Sequence, residues 1–134
     1  MEVTLIDTSV WINFFKGFET SATLYLKSNL GIIPIATCPT VLQETLQGLK
    51  SQSEANRIES YFDDMIQLVN DPYELAIEAA QLYRKLRKNG ITVRKPNDCL
   101  IATYAIKNKI PILHDDVDFT NIAQKTNLLL VNTG

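Results

Sequence analysis

Residues 3–15 read Val3-Thr4-Leu5-Ile6-Asp7-Thr8-Ser9-Val10-Trp11-Ile12-Asn13-Phe14-Phe15, and the change of period inside this stretch points to the fold class. Val3 to Ile6 is short, apolar and rich in β-formers. Asp7, Thr8 and Ser9 then offer side-chain oxygens that cap a helix, and Val10, Trp11, Phe14 and Phe15 recur at helical spacing. A strand runs straight into a helix, with an acid at the junction.

The alternation continues along the chain. Leu24, Leu26 and Leu30 predict a helix over residues 20–30, and residues 32–37 read as a buried strand. Leu42, Leu46 and Leu49 form one helical stripe, and Ile58, Tyr61 and Phe62 another over residues 53–65, before a short strand candidate at 66–69. Asp71-Pro72-Tyr73-Glu74 is a strong helix start, with an acidic N-cap and proline in the first turn, and Asn89-Gly90 is the matching stop. Pro96-Asn97-Asp98 opens a helix carrying Leu100, Ile101, Tyr104 and Ala105. Residues 110–113 then read as a strand, 119–124 as a helix and 128–131 as a last strand. Strands separated by helices imply an α/β protein whose parallel sheet is covered on both faces and joined by right-handed crossovers.

At 134 residues a chain buries roughly 68% of the surface it exposes when unfolded, so one domain over residues 1–134 is expected. A composition of 46% hydrophobic and 21% charged residues excludes a disordered chain. Cys38 and Cys99 lie far apart and form neither a zinc-type nor a redox pair, so both are read as small core residues. The start of the chain lacks the basic and apolar regions of a signal peptide, and no apolar run approaches the ~20 residues of a membrane span. The expectation is a cytoplasmic protein with no membrane association.

A net charge of −2 and a pI near 5.3 argue against a uniformly basic nucleic-acid binder. The distribution argues otherwise, because residues 84–95 hold six basic side chains and no acid. Arg87, Arg94 and Lys95 are the candidate phosphate contacts in that run. Its other reading is a helix C-terminus whose cations complement the macrodipole.

In an open parallel sheet the working site lies beyond the carboxyl ends of the strands. That rule selects Asp7, after the first strand, and the group Asp115, Asp116 and Asp118 after the fourth, while Asp98 begins the helix leading into that strand. Each also has a plain reading as a helix cap. Glu44 resists it: it lies at the edge of an apolar stripe with no basic partner one turn away, and a half-buried carboxylate without a cation must be neutralised or bind a metal. Converging carboxylates without histidine or cysteine favour Mg2+ or Mn2+ over zinc, and such a centre suits hydrolysis of a phosphodiester. His114 is read as a positioned rim residue. Alternation in an extended 115–118 segment would send Asp116 and Asp118 to one side and Asp115 to the other.

Four stretches carry a family resemblance: Leu5-Ile6-Asp7-Thr8-Ser9-Val10-Trp11-Ile12, Gln43-Glu44-Thr45-Leu46-Gln47-Gly48, Pro96-Asn97-Asp98-Cys99-Leu100-Ile101-Ala102 and Leu113-His114-Asp115-Asp116-Val117-Asp118-Phe119. In order and spanning almost the whole chain, they resemble the four motifs of PIN-domain proteins, and among these the VapC-like toxins of prokaryotic toxin–antitoxin pairs. The resemblance implies a three-layer α/β/α fold around a mainly parallel sheet of about five strands. It also implies a Mg2+- or Mn2+-dependent endoribonuclease acting on RNA, usually a homodimer, restrained by a cognate antitoxin. By position Asp7, Glu44, Asp98 and Asp116 match the catalytic acids, with Asp7, Asp98 and Asp116 on the metal. Thr8, Ser9, Asn97 and Asp118 match auxiliary positions, and the choice between Asp116 and Asp118 as fourth acid stays open.

Two further functions compete. One is a non-catalytic RNA- or protein-binding module whose acids are structural caps. The other is a metal phosphohydrolase or phospho-acceptor domain of similar topology, against which the lack of an acidic pair beside the first strand weighs. Metal-dependent RNA cleavage separates all three.

Overall fold

The computed structural model describes residues 2–134. Strand β1 (Thr4–Ile6) leads into α1 (Thr8–Lys16) and α2 (Ser21–Asn29); β2 (Ile35–Thr37) is followed by α3 (Pro39–Gln47) and α4 (Gln52–Asp63). After β3 (Ile66–Gln67) come α5 (Pro72–Lys88) and α6 (Pro96–Asn108), then β4 (Ile112–Leu113) and α7 (Val117–Ala123). The strands form one four-stranded sheet in the order β3-β2-β1-β4, and every pair is parallel. Each strand-to-strand connection contains helix, as a parallel crossover requires.

The sheet is narrower than the five strands expected. Residues 128–131 contribute only an isolated parallel bridge, Leu130 to Ile112. Pro111 has no N–H to give the ladder and the chain leaves the sheet after Leu113, so β4 offers only a short edge for pairing. The other strands also start later or end sooner than their apolar runs suggested. Loop residues flanking β2, such as Ile33 and Pro34, supply apolar surface without ladder bonds at every position.

Strand order positions the site. The chain steps outward from β1 to β2 to β3 and then crosses back to lay β4 on the other side of β1. The carboxyl ends of β1 and β4 therefore flank the point where the direction of progression reverses, the usual crevice of an open α/β sheet. Leu5 pairs with Ile112 and Ile6 with Leu113, and Asp7 N–H donates to the Leu113 carbonyl at 2.9 Å, so the two strand ends lie level.

The helix ends follow their local chemistry. Asp71 accepts from Tyr73 N–H, Pro72 opens α5, and the chain turns away at Gly90 with φ +84°. Trp11, fully buried on α1, gathers Phe14, Phe15, Tyr61 and Phe62 within ring-centroid distances of 5.2–6.2 Å, which pins α1 to α4. Cys38 and Cys99 are free and buried, as their spacing implied. Among the described residues no helix is long and apolar enough to cross a membrane.

Candidate active site

The site is assembled from the ends of β1 and β4, the second half of α3 and the start of α6. Asp7 caps α1: its Oδ2 accepts from Ser9 N–H at 3.0 Å and from Ser9 Oγ at 2.6 Å. The same Ser9 Oγ accepts from Asp115 N–H at 3.0 Å, so one hydroxyl joins the loops that follow β1 and β4. Capping thus consumes one oxygen of Asp7. The other, Oδ1, is buried with no hydrogen-bond partner among the described residues.

Asp98 lies in the first turn of α6, which its predecessor Pro96 starts, and it is 4% exposed. Its Oδ2 is likewise buried without a partner. Oxygens of Asp98, Asp116 and Asp118 lie within 4.8 Å of one another. Burial is the first cause that pushes the Asp98 carboxyl up to about 8, and the charges of Asp7 and Asp116 and the nearby Asp118 carboxylate add to it. Burial also raises Asp7 to about 6 against the lowering effect of the Ser9 bonds, with the Glu44 charge adding to the rise.

Glu44 is half-buried on α3 and is held from two sides: Thr8 Oγ donates to Oε1 at 2.9 Å and Asn97 Nδ2 reaches Oε2 at 3.5 Å. Three of the quoted motifs therefore meet at one carboxylate.

The three acids after β4 have separate surroundings. Asp115 turns away, accepting from Asn13 Nδ2 at 3.0 Å and Thr20 Oγ at 2.8 Å. Asp116 is the N-cap of α7, its Oδ1 accepting from Asp118 N–H at 2.9 Å and Arg94 Nη2 at 3.0 Å, while Lys95 Nζ contacts Oδ2. Burial alone would raise the Asp116 carboxyl, but the bonds from Lys95 and the Asp118 amide hold it below the usual range. Asp118 is almost wholly enclosed and accepts from the Arg94 and Lys95 amides at 3.3 and 3.2 Å. The 115–118 segment is not extended throughout, as strand-like alternation required: α7 begins at Val117 with Asp116 as its cap. The two acids meet because a cap side chain bonds the amide two residues on.

The basic run divides as well. Arg94 and Lys95 are on the acids, whereas Arg87 stays on α5 with its guanidinium 5.6 Å from the Tyr83 ring centre. Arg84, Lys85, Arg87 and Lys88 line one shallow groove on that helix, and Arg84 also borders a depression shared with Asn97. The direct contact of Lys95 with the acids was the feature missed from the sequence, although its place one turn before Asp98 was a usable signal. His114 accepts from Asp116 N–H through Nδ1 and lies 5.5 Å from the Phe119 ring, a rim position that orders the loop.

The donor set fits a hard divalent ion. Asp7 Oδ1 and Asp98 Oδ2 are enclosed without a partner among the described residues, and Asp98 shares an all-carboxylate cluster with Asp116 and Asp118. A pH dependence follows. Asp7 and Asp98 bind protons more tightly when folded than when unfolded, so between about pH 4 and pH 8 the unfolded chain holds fewer protons. Stability in chelator therefore falls as pH rises through this window, and saturating Mg2+ reduces the slope. Thermal melts at pH 5 and pH 8.5, with and without Mg2+, check this; equal melting temperatures in chelator would contradict it.

Comparison with known proteins gives consistent matches. The PIN domain family model matches residues 4–125. Ribonuclease VapC11 of Mycobacterium tuberculosis and VapC ribonuclease Mb1587 of Mycobacterium bovis are each 36% identical over 127 residues, spanning 92% of this chain and 94% of their own length. Among solved structures, VapBC-1 from nontypeable Haemophilus influenzae gives a TM-score of 0.73 at 16% identity over 98% of both chains. VapBC2 from Rickettsia felis, bound to a DNA fragment from its promoter, gives 0.69 at 19% identity over 97% of this chain and 98% of the other. At these identities the structures speak to the fold alone.

Proposed function

The chain belongs to the PIN-domain family, and from that premise we propose that it is a divalent-metal-dependent endoribonuclease, the toxin of a toxin–antitoxin pair. The observation that carries the reading is the pair of enclosed, unpartnered carboxylate oxygens, Asp7 Oδ1 and Asp98 Oδ2, at the switch point of the sheet. A fold that kept these acids only as caps would have no use for such oxygens, which cost stability when buried and unpaired.

Asp7, Asp98 and Asp116 would hold the ion, Mg2+ or Mn2+. When bound, it polarises the phosphate and lowers the pKa of a coordinated water. The chain's own part is positioning and proton handling. Glu44, fixed by Thr8 Oγ and Asn97 Nδ2, has its more loosely held Oε2 free to take the proton of the attacking water. The water oxygen then bonds to phosphorus as the P–O ester bond opens, and the departing oxygen takes a proton from solvent. Ser9 holds Asp7 and the loop after β4 in register, and Asp118 anchors the backbone of Arg94 and Lys95. Cleavage of RNA in Mg2+ or Mn2+, and none in chelator, is expected. Cleavage undiminished by chelator would refute the metal-dependent reading.

The basic run offers phosphate contacts beside the acids. Replacing Arg87, Arg94 and Lys95 by alanine in a Glu44→Gln background, which keeps the ligand acids, is expected to weaken RNA binding. The salt dependence should flatten by roughly one unit of slope per lost phosphate contact. An unchanged slope would return these residues to the role of a solvated helix end.

An antitoxin partner is supported by the toxin–antitoxin complexes among the structural neighbours. A homodimer is the assembly we infer for the free chain, and the exposed apolar side chains Ile66, Val69, Tyr73 and Ile77 are the kind of surface that self-association buries.

A further inference from the structure

Resting on the reading of the carboxylates as a metal site, we propose that Lys95 is the site's built-in counter-ion: its ammonium occupies the cleft without metal and must be displaced by the entering cation. Lys95 thereby sets the affinity for the ion.

The two oxygens of Asp116 have different partners. Oδ1 is committed to structure, accepting from Asp118 N–H, the bond that caps α7, and from Arg94 Nη2. Oδ2 is contacted by Lys95 Nζ. The oxygen of Asp116 that its structural bonds leave open to an ion is thus the one the ammonium covers. Lys95 also feels the charges of Asp98, Asp116 and Asp7, the three acids assigned to the ion.

The lysine does not arrive by chance of a flexible surface. Asp118 accepts its backbone amide, its carbonyl accepts from Asp98 N–H at 2.9 Å, and Pro96 follows it, so its Cα is fixed at the lip of the cleft. Its side chain is nevertheless 57% exposed while that of Asp116 is only 5% exposed. With more than half of the side chain exposed, the ammonium can leave without disturbing packing. An ordinary surface pair would contribute little, but this acceptor is enclosed and its neighbours are carboxylates that repel it and one another. A compact ammonium is suited to fill such a place, since it presents a point charge with three donors. Released, it would stand at the cleft edge, within reach of a substrate phosphate.

Calorimetric titration of Mg2+ and Mn2+ into the parent, Lys95→Met, Lys95→Gln and Asp98→Asn tests the proposal, together with melting temperatures in chelator and in saturating Mg2+. Both lysine variants are expected to bind Mg2+ about tenfold more tightly than the parent, through loss of a like charge and of a competitor. In chelator they are expected to melt below the parent, with the gap closing in Mg2+. Equal or weaker binding by both variants, with binding lost in Asp98→Asn, would overturn the role of Lys95 and leave the metal reading intact. No binding by the parent or the lysine variants would overturn both.

Discussion

Asp98→Asn is expected to lower metal-dependent RNA cleavage by at least about a hundredfold while making the metal-free protein more stable, not less. The two effects have one cause. Asp98 is enclosed among Asp7, Asp116 and Asp118, with an oxygen that has no partner and a carboxyl pushed up to about 8. An amide of the same shape needs no proton taken up on folding and brings two N–H donors to neighbouring carboxylates, a gain of about 1–3 kcal/mol near neutral pH. The same change removes an anionic ligand. Cleavage assays with Mg2+ and thermal melts in chelator measure the pair. A variant that cuts RNA as fast as the parent would defeat the catalytic reading and favour a binding module, and a variant that melts well below the parent would make Asp98 a structural residue.

Trp11→Ala is expected to destabilise the fold by about 3–5 kcal/mol, the range for deleting a large buried aromatic. Trp11 is wholly buried and touches aromatic rings from α1 and α4, with Phe15 stacked at 5.7 Å and Phe62 tilted at 5.2 Å. Its indole N–H has no acceptor among the described residues, so the replacement loses packing and no hydrogen bond seen there. Because α1 begins at the cap Asp7, loosening its seat on α4 also loosens the first acid. Urea denaturation followed by far-ultraviolet circular dichroism gives the magnitude, since the chain's single tryptophan is lost in the variant. A loss below about 1 kcal/mol would show that the aromatic cluster is not what holds α1 to α4.

The sequence by itself determined what depends on neighbours within a few residues. The passage from strand to cap to helix at Asp7, the start of α5 at Asp71 and Pro72 and its stop at Gly90 are all set by side chains that act over about one turn of backbone. That acids following β1 and β4 come to one end of the sheet was legible for a related reason: residues beyond the carboxyl ends of parallel strands are placed by topology, and alternating strands and helices disclose that topology. Strand lengths were not legible, because apolar loop residues such as Ile33 look like strand until the ladder partners are known. Nor was the environment of each acid. Asp115 is held by Asn13 and Thr20, about a hundred positions away in the chain, and Asp116 and Asp118 by Arg94 and Lys95. The packing of β4 against β1 brings Asp115 to Asn13 and Thr20, and that of α7 against α6 brings Asp116 and Asp118 to Arg94 and Lys95; there the attraction between charges falls off with distance in space, to which separation along the chain gives no guide.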